Sequence, residues 1–207
     1  MASGTPSKAT LAEALFRIGA LRFGRFTLAS GKTSSYYLDL RTIPSYPEVY
    51  EMAVSAYREL ADGIGEKSFD VVAGVATAGV TISSPLAFIL KKPMVYVRKE
   101  EKGYGLGRSV EGATTPGQKA LVIDDLATTG GSINSAVEAL RKVGCVVKEA
   151  AVLVDRLEGA KANLASAGVR LTAYARITEL VDILRVEGMM TKGDYDAVMK
   201  QVKGGGQ

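Results

Sequence analysis

The residues best suited to chemistry lie between Ala120 and Ser132. There an apolar run, Ala120-Leu121-Val122-Ile123, leads into the carboxylates Asp124 and Asp125. Leu126 and Ala127 follow, then Thr128, Thr129, Gly130, Gly131 and Ser132. The pattern predicts a buried strand, a short loop rich in hydroxyls and glycine, and a helix starting near Ser132. Unclaimed backbone N–H groups at a helix N-terminus, together with hydroxyls, make an anion site suited to a phosphate monoester. Two adjacent carboxylates are poor neighbours for that anion unless they face something else, and a ribose diol or a hydrated magnesium ion is such a partner. Taken singly, Asp is a common strand-end or cap residue and Gly a common turn residue; the whole constellation asks for more.

A second group is cationic. Arg98, Lys99 and Lys102 precede Gly103, Gly105, Gly107 and Gly112, which puts three cations at the root of a loop able to move. A pyrophosphate leaving group needs cations that arrive on closure and withdraw for product release. A solvated basic loop is the plainer alternative. From Gly74 to Gly79 the residues are small, so the backbone could approach an anion closely or could simply pack tightly. Arg156 ends another apolar run, and its planar fork suits a bidentate carboxylate as well as a surface ion pair. Tyr36 and Tyr37 could flank a flat base, although aromatics in a strand commonly serve the core.

Other chemistries are excluded by composition. The 207 residues contain no His, no Trp and one Cys, Cys145, so serine-histidine triads, histidine-held zinc and disulfide frameworks are absent. Gly31-Lys32-Thr33 lacks the earlier glycine of a P-loop, and Gly103, Gly105 and Gly107 lack the third dinucleotide-motif glycine, since Arg108 stands there. Hydrophobic residues make up 47% and charged residues 23%, a globular balance, and no apolar stretch is long enough to span a bilayer. Met1 to Thr10 has no apolar signal core, so a cytoplasmic location is expected. The net charge of +4 permits a nucleic-acid partner, but it is dispersed except around Arg98 to Arg108, so anionic small molecules explain it as well and the charge alone decides nothing. The partners expected are small molecules, with no nucleic acid and no membrane.

The elements that must position these groups follow from periodicity. Leu11, Ala14, Leu15, Ile18 and Leu21 predict a helix from about Thr10 to Leu21, closed by Gly24. A short strand is expected over Tyr36–Leu40, then a break at Pro44 and Pro47 and a second helix through about Leu60. From Asp70 onward, apolar runs at 70–73, 94–97, 120–123, 146–154 and 169–175 alternate with helical segments. That alternation predicts an α/β fold with a doubly wound, mostly parallel sheet, and places ligands at the carboxyl ends of its strands. Residues 1–207 are expected to form one domain in which about 1–45 make a small subdomain. Gly204, Gly205 and Gly206 read as a frayed tail.

The segment Ala120 to Ser132 resembles the phosphoribosyl-pyrophosphate (PRPP) motif of the type I phosphoribosyltransferases. Phe26 to Gly31 with Tyr36 to Asp39, Gly74 to Gly79, Tyr96 to Gly105, and Asp155-Arg156 are similar to the orotate branch of that family. The resemblance implies the type I fold with residues 1–45 as a hood over the base site. It implies transfer of phosphoribosyl from PRPP to orotate, with Mg²⁺ bound through PRPP and through Asp124 or Asp125. It implies PRPP contacts from Arg98, Lys99, Lys102 and Tyr104 and from residues 124–132, with Lys102, Asp124 and Asp125 catalytic. Orotate would meet Thr128, Arg156, Tyr36 and Tyr37. A homodimer is implied, its 98–112 loop acting in the neighbouring subunit's site. Three positions depart from the family pattern: Ala29 and Ala78 stand where relatives have Lys, and Tyr104 where they have His. A purine or uracil phosphoribosyltransferase, or a regulator keeping the PRPP site as a sensor, are the alternatives; Arg156 and the loop cations favour the orotate enzyme.

Overall fold

A computed structural model describes residues 6–27, 31, 33–98 and 109–204. Ala29, Lys99, Lys102 and Tyr104 therefore lie outside the described residues. The chain opens with α1 (Lys8–Arg17), whose N-terminus is capped by Ser7 Oγ accepting from the Thr10 N–H. This helix is shorter than its apolar pattern predicts. Gly19, at φ 71°, turns the chain rather than Gly24, and Leu21 already begins β1 (Leu21–Thr27) while facing the same core. Gly24 sits where the register of β1 against β2 (Thr33–Leu38) shifts. The second strand ends before Leu40 because Asp39 caps a 3-10 helix, Leu40–Ser45. Pro47 then starts α2 (Pro47–Ile64), which runs one turn past the expected end.

The main sheet holds β3 (Val71–Val75), β4 (Met94–Val97), β5 (Val110–Glu111), β6 (Lys119–Ala127), β7 (Val146–Asp155) and β8 (Arg170–Arg176). Their spatial order is β5-β4-β3-β6-β7-β8, parallel throughout except for the antiparallel β4–β5 pair. Crossovers are made by α3 (Ala78–Leu90), α4 (Gly131–Lys142) and α5 (Ala160–Ser166). Beyond Ala175, where the only expectation is a frayed tail at Gly204, Gly205 and Gly206, α6 (Ile177–Val186) and α7 (Lys192–Gly204) complete the fold. Gly204 belongs to the last helix rather than to a tail; Gly205 and Gly206 lie outside the described residues.

Both sheet faces are covered, which is why the strands read as continuous apolar runs. Leu121, Ile123, Ala151 and Leu153 face a core built with α1, α2, α3, α6 and the β1–β2 sheet. Ala120, Val122, Ala150 and Val152 face a second core closed by α4 and α5. Leu21, Tyr36 and Leu38 of the small sheet lie in the first core, so this sheet is packed onto the main body. Helix α7 ties it down further: Gln201 Oε1 accepts from Ser35 N–H at 2.7 Å and Ser35 Oγ at 2.8 Å.

Close approach decides the role of two glycines. A Cβ on Gly79 would stand 2.3 Å from the Ile123 carbonyl oxygen, and one on Gly74 would meet Ser83 Oγ at the same distance. Gly74 and Gly79 thus bring α3 hard against β3 and β6, while the residues between them face a cleft. Gly79→Ala is expected to cost about 1–3 kcal/mol through overpacking against backbone. Denaturant melts check this; unchanged stability would mean that α3 can shift.

Candidate active site

From β3 the chain crosses by α3 to β4 on one side, and from β6 by α4 to β7 on the other. The connections part between β3 and β6, and such a switch point opens a crevice at the carboxyl ends of the strands. A cleft of about 230 Å³ lies there, lined by Val75–Ala78, Asp124–Thr128, Gly130–Ile133 and Arg41. The structure thus brings together both carboxylates and most of the phosphate-type loop.

The loop's backbone is oriented from behind. The Thr128 carbonyl accepts from the Ala160 N–H at 3.2 Å and the Thr129 carbonyl from Asn163 Nδ2 at 2.8 Å, so α5 holds the loop's acceptors. Gly130, at φ 83°, makes the turn into α4, and a Cβ there would press on Ala160 and Leu164 at 3.3 Å. Helix α4 starts at Gly131 with no side-chain cap and no acidic residue in its first turn. Its first amides are left for an anion, and the local field favours one.

Asp124 is buried and its Oδ1 accepts from the Asp125 N–H at 3.0 Å; Asp125 Oδ1 accepts from the Leu126 N–H at 2.9 Å. Burial pushes the Asp125 carboxyl above the usual range, while the Leu126 N–H, Asp124 and the Arg41 charge pull it back. Two groups that sequence reasoning missed support this pair. Tyr57, fully buried in α2, donates its hydroxyl to the Asp124 carbonyl at 2.5 Å. Arg41, in the 3-10 helix, is held by Asp39 through Nε at 2.7 Å and Nη2 at 2.8 Å. In the sequence Tyr57 is one more apolar position on a helix face, and Arg41 an ordinary residue after a strand; only the fold turns them toward the acidic pair.

Arg156 leaves β7 buried, its N–H bonded to the Ala127 carbonyl at 2.9 Å. Its Nε donates to Tyr36 Oη at 3.0 Å and its guanidinium sits 4.8 Å from the Tyr36 ring centroid. Nη2 lies 2.9 Å from Glu158 Oε1 yet makes no aligned hydrogen bond, so a buried donor remains. Tyr36 is thereby a support for Arg156. Tyr37, its neighbour on a strand, points to the other face, where it packs on Phe26 and beneath Arg22.

Arg98 stands apart from the first cleft, in an adjoining one of about 250 Å³ with Val75, Ala76, Ser132 and Ser135. It pairs with Glu111 at 3.2 Å, and its N–H bonds the Ser109 carbonyl, closing the base from which residues 99–108 depart. Ala78 begins α3 and offers the cleft only a methyl group. Among the described residues no three His, Cys, Asp or Glu side chains are grouped to hold a metal. A cation here would take one or two carboxylates from Asp124 and Asp125 and its other ligands elsewhere.

Comparison with known proteins places this geometry. A phosphoribosyl transferase domain model matches residues 45–172. The chain is 41% identical over 187 residues to an orotate phosphoribosyltransferase of Cenarchaeum symbiosum, covering 90% of this chain and 92% of that one. The crystal structure of orotate phosphoribosyltransferase from Aeropyrum pernix superposes with a TM-score of 0.75 at 40% identity, covering 87% of this chain and 99% of that one. Leishmania donovani UMP synthase superposes with a TM-score of 0.85 at 32% identity, over 96% of this chain, which spans 42% of that longer protein. With these likenesses running through the cleft and nearly the whole chain, the protein belongs to the phosphoribosyltransferases, in their orotate phosphoribosyltransferase branch.

Proposed function

We propose that the protein transfers the phosphoribosyl group of PRPP to orotate, giving orotidine 5′-monophosphate and pyrophosphate, a step toward UMP. The observation that carries this is the single cleft joining an uncapped helix N-terminus to the Asp124–Asp125 pair, with Arg156 close behind it on β7. The 5′-phosphate rests on the loop amides and hydroxyls of Thr128 to Ser132. Asp124 and Asp125 orient the ribose diol and stabilise positive charge as the C1′–O bond breaks. Asp124 and Asp125 would hold a Mg²⁺ ion carried in on PRPP, which would supply charge neutralisation for the diphosphate. Thr128 and Arg156 hold orotate, which arrives as an anion, so no histidine base is needed. Residues 1–45 serve as the hood, and the single buried Cys145 accords with a cytoplasmic enzyme. Incubation with PRPP, Mg²⁺ and orotate should release one pyrophosphate per orotate consumed and stop on chelation; no orotate consumption would refute the assignment.

Tyr57→Phe tests the backbone support. It should cost about 1 kcal/mol of stability and lower kcat more than it raises the KM for PRPP. An unchanged kcat would reduce the hydroxyl to a core contact.

The working unit is a homodimer in which the loop between Arg98 and Gly112 reaches the partner's site through Lys99, Lys102 and Tyr104. Phe88 and Ile89 at the end of α3 and Tyr96 on β4 are exposed, apolar surface that would suit a subunit contact. Lys102→Ala and Asp125→Asn chains should each be nearly inactive, and mixed dimers should regain activity at about half of their sites. No recovery in confirmed mixed dimers would place the loop on its own subunit.

A further inference from the structure

The geometry points to Arg41 as a binding residue for the diphosphate of PRPP, a cation supplied by the chain that also carries the phosphate loop. This inference rests on the PRPP reading above and assigns a residue to the end of the cleft opposite the base. Three observations place it there. Arg41 shares the cleft wall with Val75–Ala78 and with Asp125. The 3-10 helix bearing it packs against α2, α3 and β6, whereas Arg156 and its Tyr36 support belong to the β7 end. The β3–α3 turn contributes no charged side chain: Val75, Ala76, Thr77 and Ala78 give only small groups, a hydroxyl and the uncapped start of α3.

A diphosphate beside those amides lies near Asp125 and is repelled by it unless a cation intervenes. Arg41 fills that need, and its charge already acts on the Asp125 carboxyl. Asp39 fixes the guanidinium by engaging Nε and Nη2, and also accepts from the Arg41 N–H at 3.2 Å, which leaves Nη1 outside that pair. The fork is therefore oriented before substrate arrives, and its remaining donors suit paired phosphate oxygens.

The test is calorimetric titration of the full chain with three probes: inorganic pyrophosphate with Mg²⁺, PRPP with Mg²⁺ and no base, and orotidine monophosphate. Arg41→Ala should weaken pyrophosphate and PRPP about 10- to 100-fold and leave the monophosphate, which lacks the diphosphate, within about twofold. Equal weakening of the monophosphate, or no weakening of PRPP, would overturn the proposal. Should Arg41→Ala not fold, Arg41→Gln carries the same test, because its amide can still bond Asp39; the selective loss supports the role and its absence refutes it. Wild-type turnover with orotate is scored separately. A selective loss in an enzyme that ignores orotate would sink the orotate assignment and leave Arg41 in place.

Discussion

Asp125→Asn is expected to lower turnover by about 100- to 1,000-fold while leaving the protein folded. The substitution is nearly isosteric, and the Asn side-chain oxygen can still accept the Leu126 N–H that Asp125 Oδ1 accepts at 2.9 Å. What would disappear is a negative charge in the cleft wall, which on the proposed function faces the ribose where positive charge develops. The loss should fall on kcat more than on the KM for PRPP, because the charge matters most when the C1′–O bond is breaking. Steady-state kinetics with circular dichroism as the folding control checks this. Near-normal turnover would make the acidic pair a structural turn and remove the ribose from its neighbourhood.

Arg156→Lys is expected to have the second large effect, and a selective one. Arg156 is held by Tyr36 on one side and Glu158 on the other, and its fork presents a buried donor without an aligned partner. An ammonium cannot bond Tyr36 and a planar carboxylate in the same plane. The KM for orotate should rise about 10- to 100-fold with the KM for PRPP within about twofold. Tyr36→Phe should produce a smaller loss of the same kind, since the ring stays under the guanidinium and only the hydroxyl acceptor goes. Equal loss for both substrates would place Arg156 outside the base site.

Apart from the two-residue edge strand β5, which has no apolar run of its own, the strand and helix order from Asp70 to Ala175 was legible because strands covered on both faces advertise themselves as apolar runs. The acidic pair and the loop after it were legible because their chemistry depends on a contiguous segment. Arg41 and Tyr57 were not, since Tyr57 bonds the Asp124 backbone and Arg41 acts on the Asp125 carboxyl only after packing brings these distant segments together. The shared core also hid the first helix boundary: Leu21 continues the helical apolar pattern while belonging to a strand. Tyr36 and Tyr37 looked equivalent as adjacent aromatics, yet strand geometry sends one under Arg156 and the other to Phe26.

On the proposed function this cleft joins PRPP to orotate and to no other base. The most direct measurement is a competition: the protein with PRPP, Mg²⁺ and equal concentrations of orotate, uracil, hypoxanthine, guanine and adenine, with the nucleotide products identified by mass. Orotidine monophosphate as the sole nucleotide, matched by pyrophosphate release, is the predicted result. A purine or uridine nucleotide formed while orotate remains untouched would contradict the account.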